Sequence, residues 1–259
     1  MSSANLHIAH RRPFAGKLTT SIRKRRVALA RAAGPLLGRD LSNFHCRYGG
    51  ADFIVDLADL VGYEIAIGRM EWREIALMID ACRRLAPDVF LDVGANIGLY
   101  SCVLGRRRLV PKIMAFEPDR RNCASLRRNL ALNDLLGTAE VFEAAVGAGP
   151  GRATLVPAGD DNRGMSKIGT AGPDAYDVEV VALDDVIRLE GRPIVVKVDV
   201  EGYEQQVLAG AARLFAYNRG FAQIEARDDD LARAVIDRMT SFGWRFLERY
   251  GLDVRFERP

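Results

Sequence analysis

The run FLDVGANIGLYS at residues 90–101 joins an apolar strand, ending at Asp92, to a helix starting near Leu99 through a turn built on Gly94 and Gly98. Glycine at both positions permits a tight turn and close backbone approach. The helix start then presents unpaired N–H groups to whatever docks there, which is the chemistry of a nucleotide-type cofactor site. Glu117 closes the next apolar segment, KIMAFEP, 23 residues beyond Gly94. A carboxylate there is placed to accept hydrogen bonds from two ribose hydroxyls. Further along, VVKVDVEG spaces Lys197, Asp199 and Glu201 two apart, so a strand that persists through them puts all three on one face. Val196, Val198 and Val200 then face the other way, into packing. Asp199 and Glu201 can serve as a base toward a hydroxyl or hold a hard cation through oxygen ligands, and Lys197 can orient them or stabilise an oxyanion.

The elements that position these residues follow from the pattern of apolar side chains. Gly49-Gly50 between NFHCRY and ADFIVDL reads as a hairpin turn. Residues 71–85 read as an amphipathic helix with Ile75, Ile79, Cys82 and Leu85 on one face. Strands and helices then alternate: DVFLDVG, a helix near 97–107, KIMAFEP, a helix over 119–133, AEVFEAAV, and later PIVVKVDV, a helix from 203, FAQIEA and a helix carrying Leu231, Val235, Met239 and Phe242. Such alternation predicts a parallel sheet covered on both faces. WRFLERY and LDVRFE, joined through Gly251, leave no room for a crossover helix and must pair antiparallel. The expected fold is therefore α/β and Rossmann-like, with a mostly parallel seven-stranded sheet and a C-terminal antiparallel hairpin. Its ligands bind beyond the carboxyl ends of the strands, where Asp92, Glu117, Ala145, Asp199 and Glu225 are all predicted to emerge. Glu225 either lines that pocket or pairs with a neighbouring Arg. The Gly-, Asp- and Pro-rich stretch between Val146 and Pro193 reads as a substrate-side lid or as an exposed insertion.

Composition limits the function classes. The chain has 259 residues, 49% of them hydrophobic, enough for one substantial core. The expected division is a basic, flexible segment over 1–42, a small hairpin cap over 43–70 and one catalytic domain over 71–259. Residues 1–47 hold ten Lys/Arg against one acid, leaving 27 against 33 in the remainder. That segment can touch an anionic membrane surface or nucleic acid, or simply be solvated. No stretch is long and apolar enough to span a membrane, and a cytoplasmic protein is expected. Cys46, Cys82, Cys102 and Cys123 lack metal-ligand spacing and read as buried thiols. His7, His10 and His45 all lie in the first part, so proton abstraction in the body falls to Asp, Glu, Lys or Tyr.

Asn96 stands where a dinucleotide loop needs its second glycine, which crowds a pyrophosphate, and neither Tyr-x-x-x-Lys nor a His acid supports a nicotinamide oxidoreductase. The sequence from Asp92 through Gly94, Ala95, Asn96 and Gly98 resembles instead the first motif of class I S-adenosylmethionine-dependent methyltransferases, in which Asp92 would face the ligand's ammonium group. Several segments together, LDVGANIGLYS, FEPD, EAAVG, LDDV and KVDVEGYEQQVLAG, resemble the FkbM-type methyltransferases over about residues 71–226. The resemblance implies O-methylation of a sugar, polyketide or similar secondary or cell-envelope product, with S-adenosyl-L-methionine as cofactor. A divalent metal is compatible with the carboxylates and is not assigned. One departure is Arg227, because the family often has a histidine just after the Ile-Glu pair and this chain reads IEARDDD. The alternatives that stay open are a nucleic-acid or other N-methyltransferase and a non-catalytic binding protein of the same fold. A nucleic-acid adenine N-methyltransferase is disfavoured because DVEGYE replaces the Asp/Asn-Pro-Pro-aromatic turn of such base chemistry, although the basic N-terminal segment keeps RNA in view.

Overall fold

The computed structural model describes residues 41–259, together with Arg25, Val27, Ala28, Leu29 and Ala32. The expectations for residues 1–42, flexibility and membrane contact among them, thus fall almost wholly outside the described residues; Val27 is buried in the main core. Gly49 and Gly50, with φ of 60° and 91°, close the hairpin of β1 (Phe44–Tyr48) and β2 (Ala51–Val55). Two left-handed residues in a row are what a primed turn requires. Helix α1 (Leu60–Ile67) follows, capped by the Asp59 side chain on the Gly62 N–H, and then α2 (Trp72–Leu85), whose Ile75, Ile79 and Cys82 are buried as their spacing predicts.

The Rossmann-like alternation then runs β3 (Val89–Val93), α3 (Leu99–Arg106), β4 (Ile113–Phe116), α4 (Arg120–Leu132) and β5 (Ala139–Phe142). AEVFEAAV does not form one strand. It breaks at Glu143-Ala144, and β6 (Ala145–Val146) joins a separate four-stranded sheet with β7 (Gly151–Val156), β8 (Lys167–Gly169) and β9 (Tyr176–Val181). After α5 (Leu183–Val186) come β10 (Pro193–Val198), α6 (Glu204–Ala209), α7 (Ala212–Tyr217), β11 (Arg219–Glu225) and α8 (Asp229–Ser241). The helix expected from 203 is thus two short ones, parted at Gly210, where a Cβ would stand 1.9 Å from the Gly147 carbonyl oxygen.

Strands β12 (Arg245–Tyr250) and β13 (Asp253–Arg258) complete a seven-stranded sheet in the order β12-β13-β11-β10-β3-β4-β5. Its five strands from β11 to β5 are parallel, and the terminal hairpin is antiparallel. β3 and β10 lie at the centre, buried on both faces, and one apolar cluster fills each side of the sheet. The β1–β2 hairpin shares its cluster with α2, α3 and α4. Among the described residues no helix is long and apolar enough to cross a membrane.

Candidate active site

The turn after β3 is fixed by contact with the end of β10. Gly94 has φ of 80°, and a Cβ on it would lie 1.8 Å from the Asp199 carbonyl oxygen. Asn96 is also left-handed, at 51°, which Asn tolerates better than most residues, and Gly98 at 88° caps α3. Glu117, just past the end of β4, reaches back into this turn. Its Oε2 accepts from the Asn96 N–H at 2.8 Å and its Oε1 from the Asp119 N–H at 2.8 Å. Burial pushes its carboxyl up to about 7, while those two N–H groups favour the ionised form.

Around this carboxylate opens a cleft lined by Gly94, Asn96 and Glu117 and by the apolar Ala145, Leu155 and Ile168. A carboxylate facing an apolar slot fits a nucleoside, with the ribose on Glu117 and the base among the apolar side chains. Ala145 lines the cavity as expected, although it does so from the second sheet.

Asp92 stands elsewhere than expected. It is fully buried beneath α3, where its Oδ2 accepts from the Ser101 N–H at 3.2 Å and from the Ser101 hydroxyl at 2.6 Å, and it does not line the cavity. The reason is register. Asp92 pairs with Lys197 across β3 and β10, Lys197 with Gln223, and Gln223 with Arg255, so the four form one polar row across the sheet under α2 and α3. All four are buried.

Above that row lies a second, wider cavity. Lys197 donates to Asp199 Oδ2 at 2.9 Å, and its ammonium sits 4.9 Å from the centre of the Tyr100 ring. Burial works against the charge on Lys197, but Asp199, Glu71 and Asp92 outweigh it and hold the ammonium above its ordinary value. Burial likewise opposes ionisation of Asp199, yet Lys197 and a hydrogen bond with Glu225 hold it below the usual range. Glu225 is raised, first by that hydrogen bond and then by burial, so the pair shares one proton. Glu225 therefore lines the site; the neighbouring Arg227 pairs with Glu201 instead.

The strand does not persist to Glu201. β10 ends at Val198, and Glu201 and Gly202 turn back through left-handed backbone at φ of 55° and 98°. Arg227, at the position where the resemblance implies a histidine, holds that turn: its Nη2 donates to the Glu201 carbonyl at 2.6 Å. Glu201 thus reaches the site by a turn, and Val200 faces the first cavity rather than packing away from it. Asp199, Glu201 and Glu225 each offer an oxygen, all within 4.8 Å of one another. Their charge is already met by the Lys197 ammonium, the Arg227 guanidinium and the proton that Asp199 and Glu225 share.

Two residues here escape a reading of spacing alone. Glu71, left-handed at φ of 41° ahead of α2, accepts a 2.6 Å hydrogen bond from the Tyr100 hydroxyl and is pushed up to about 7 by burial. Tyr100 is buried next to the GANIGL turn, one residue beyond Leu99. A buried Tyr needs a partner for its hydroxyl, which is the one signal available in the sequence.

The stretch between Val146 and Pro193 roofs both cavities through Arg163–Met165, a 3-10 turn. The Arg163 N–H donates to Asp59 at 2.9 Å and its guanidinium to Asp56 at 3.2 Å, while the Ser166 hydroxyl donates to Asp119 at 2.7 Å. The two cavities meet where Asn96, Gly164, Asp199 and Glu201 border both.

Comparison with known proteins places this architecture. The family model described as "Methyltransferase FkbM domain" matches residues 92–247. The chain is 31% identical over 191 residues to methyltransferase sdnD of Sordaria araneosa, an alignment covering 59% of this chain and 73% of that protein. It is 30% identical over 125 residues to the hexuronic acid methyltransferase AglP of Haloferax volcanii, covering 48% of this chain and 49% of that one. Among solved structures it resembles the methyltransferase FkbM from Methylobacillus flagellatus KT, with a TM-score of 0.50 and 19% identity, covering 66% of this chain and 44% of that one. The chain thus spans about half the length of two of these three relatives.

Proposed function

Because the chain belongs to the methyltransferase FkbM domain family, we propose that it is an O-methyltransferase that takes its methyl group from S-adenosyl-L-methionine and places it on a hydroxyl of a sugar or secondary metabolite. The observation that carries this reading is the junction of the two cavities at Asn96, Gly164, Asp199 and Glu201. One cavity suits a nucleoside and the other an acceptor, and they share a short wall of the kind an in-line transfer needs.

The cofactor supplies an already activated methyl group, so the protein mainly aligns the acceptor and excludes water. Glu117, Gly94 and Asn96 would hold the nucleoside side, whereas Ala95, expected there too, lines the acceptor cavity. An alcohol is a weak nucleophile at neutral pH, and the carboxylates at the junction answer that need. Asp199, ionised beside Lys197, accepts a hydrogen bond from the incoming hydroxyl and orients it; Glu201 borders the same point. Lys197 keeps Asp199 charged while buried. The names of sdnD and AglP support methyl transfer, and that of AglP gives a hexuronic acid for that relative.

The test is transfer of labelled methyl from S-adenosylmethionine to a panel of hydroxylated acceptors by the wild type and by Asp199→Asn. Turnover should fall by about 10²-fold in the variant with cofactor affinity nearly unchanged. Unchanged turnover contradicts the role of Asp199. Transfer only to amines or to nucleic acid contradicts the O-methyltransferase reading.

A further inference from the structure

The acceptor cavity has two chemically distinct ends. At its floor stand Glu71, Tyr100, Lys197, Asp199 and Glu225. At its mouth are apolar side chains. Leu60 from α1 and Met165 from the roof are half exposed there, and the buried Val61 of α1 and Ile97 of the turn before α3 line the same cavity. Leu60 and Met165 are 49% and 48% exposed, the two sides of one entrance. Large apolar side chains left half in water on opposite sides of a cavity mouth gain by closing on an apolar body.

The charge of the cavity is equally selective. Among the described residues that line it, Lys197 is the one cation, against the carboxylates of Glu64, Glu71, Asp199 and Glu201, with Glu225 sharing one proton with Asp199. Its ammonium is committed to Asp199 at 2.9 Å and to the Tyr100 ring. A carboxylate or phosphate on the acceptor would therefore be desolvated beside carboxylates, with no guanidinium or free ammonium among the described lining residues to receive it. We infer that the acceptor is an uncharged molecule whose reacting hydroxyl is carried on an apolar body, that body resting between Leu60 and Met165 while the hydroxyl reaches Asp199. This rests on the methyltransferase reading and narrows it: hexuronates and sugar phosphates are excluded as acceptors, in contrast to what the name of AglP states for that relative.

Three glycosides test the inference by calorimetry on the full chain saturated with S-adenosylhomocysteine: hexyl β-glucoside, methyl β-glucoside and hexyl β-glucuronide, each below its micelle concentration. Saturation with S-adenosylhomocysteine is measured first, and failure at that step contradicts the methyltransferase reading alone. With the nucleoside bound, hexyl glucoside should bind roughly tenfold or more tightly than the other two. Leu60→Ser and Met165→Ser, both at exposed positions, should each remove several-fold of that advantage. The inference is overturned by equal binding of the three, by no binding of hexyl glucoside, by preference for the glucuronide, or by a hexyl advantage that both variants retain in full.

Discussion

The Asp199 carbonyl oxygen lies against the α-carbon of Gly94, so closely that a Cβ there would stand 1.8 Å away. The turn proposed to hold the nucleoside and the strand end proposed to carry the reactive carboxylate are thereby one packed unit. Gly94→Ala meets both that clash and a backbone φ of 80°. It should destabilise the protein by about 2–4 kcal/mol and abolish cofactor binding, read by urea denaturation and by titration. A variant of wild-type stability that still binds cofactor would show the contact to be loose.

If Glu117 holds the cofactor as proposed, it should couple cofactor binding to pH. Its carboxyl, raised to about 7 by burial, must be ionised to accept hydrogen bonds from two hydroxyls. Affinity for S-adenosylmethionine should therefore rise between about pH 6 and pH 8, and the dependence should vanish in Glu117→Gln. Calorimetry across that range decides it; a flat profile in the wild type contradicts the role.

The same burial governs stability without ligand. Glu71 and Glu117 hold their protons up to about 7 in the folded protein but lose them near 4.5 when unfolded. Between those values the native state binds more protons than the unfolded chain, so stability falls as pH rises. Asp253, raised to about 6, adds to the lower part of the window. Asp199 and Asp119, both lowered, act with the opposite sign and below that window. The denaturation midpoint of the cofactor-free protein should be lower at pH 7 than at pH 5, with a smaller difference in Glu71→Gln.

Arg163 pins the roof over both cavities through Asp56, Asp59 and Asp160. Arg163→Ala removes side-chain ion pairs with partly exposed partners, worth about 1 kcal/mol or less together, and keeps the backbone bond to Asp59. Global stability should barely move, while proteolysis between Val156 and Tyr176 should quicken and S-adenosylmethionine should restore protection. Cleavage at the wild-type rate would mean that Arg163 does not hold the roof.

Much of this arrangement is legible in sequence because it depends on local signals. Gly94, Asn96 and Gly98 announce a turn, Glu117 ends an apolar strand, and Gly251 between two short segments forces an antiparallel hairpin. What escapes depends on register and on distant packing. Asp92 is at a strand end, as read, but pairing with Lys197 turns it under α3. Glu201 obeys the spacing of two only if β10 continues, and the left-handed Glu201-Gly202 turn, held by Arg227, ends that pattern. Glu71 lies 126 positions before Lys197, and nothing local marks it as a neighbour. The break of AEVFEAAV into two sheets is hidden for the same reason, since both halves are apolar enough to pair.

The most direct test of the central claim is titration of S-adenosylmethionine into the wild type and Glu117→Ala, with NADH in parallel. One site for the sulfonium, weakened roughly tenfold or more in the variant, and no binding of NADH is the predicted result. Binding of NADH instead, or equal affinity of the wild type and Glu117→Ala for S-adenosylmethionine, would contradict the assignment of this cavity to the methyl donor.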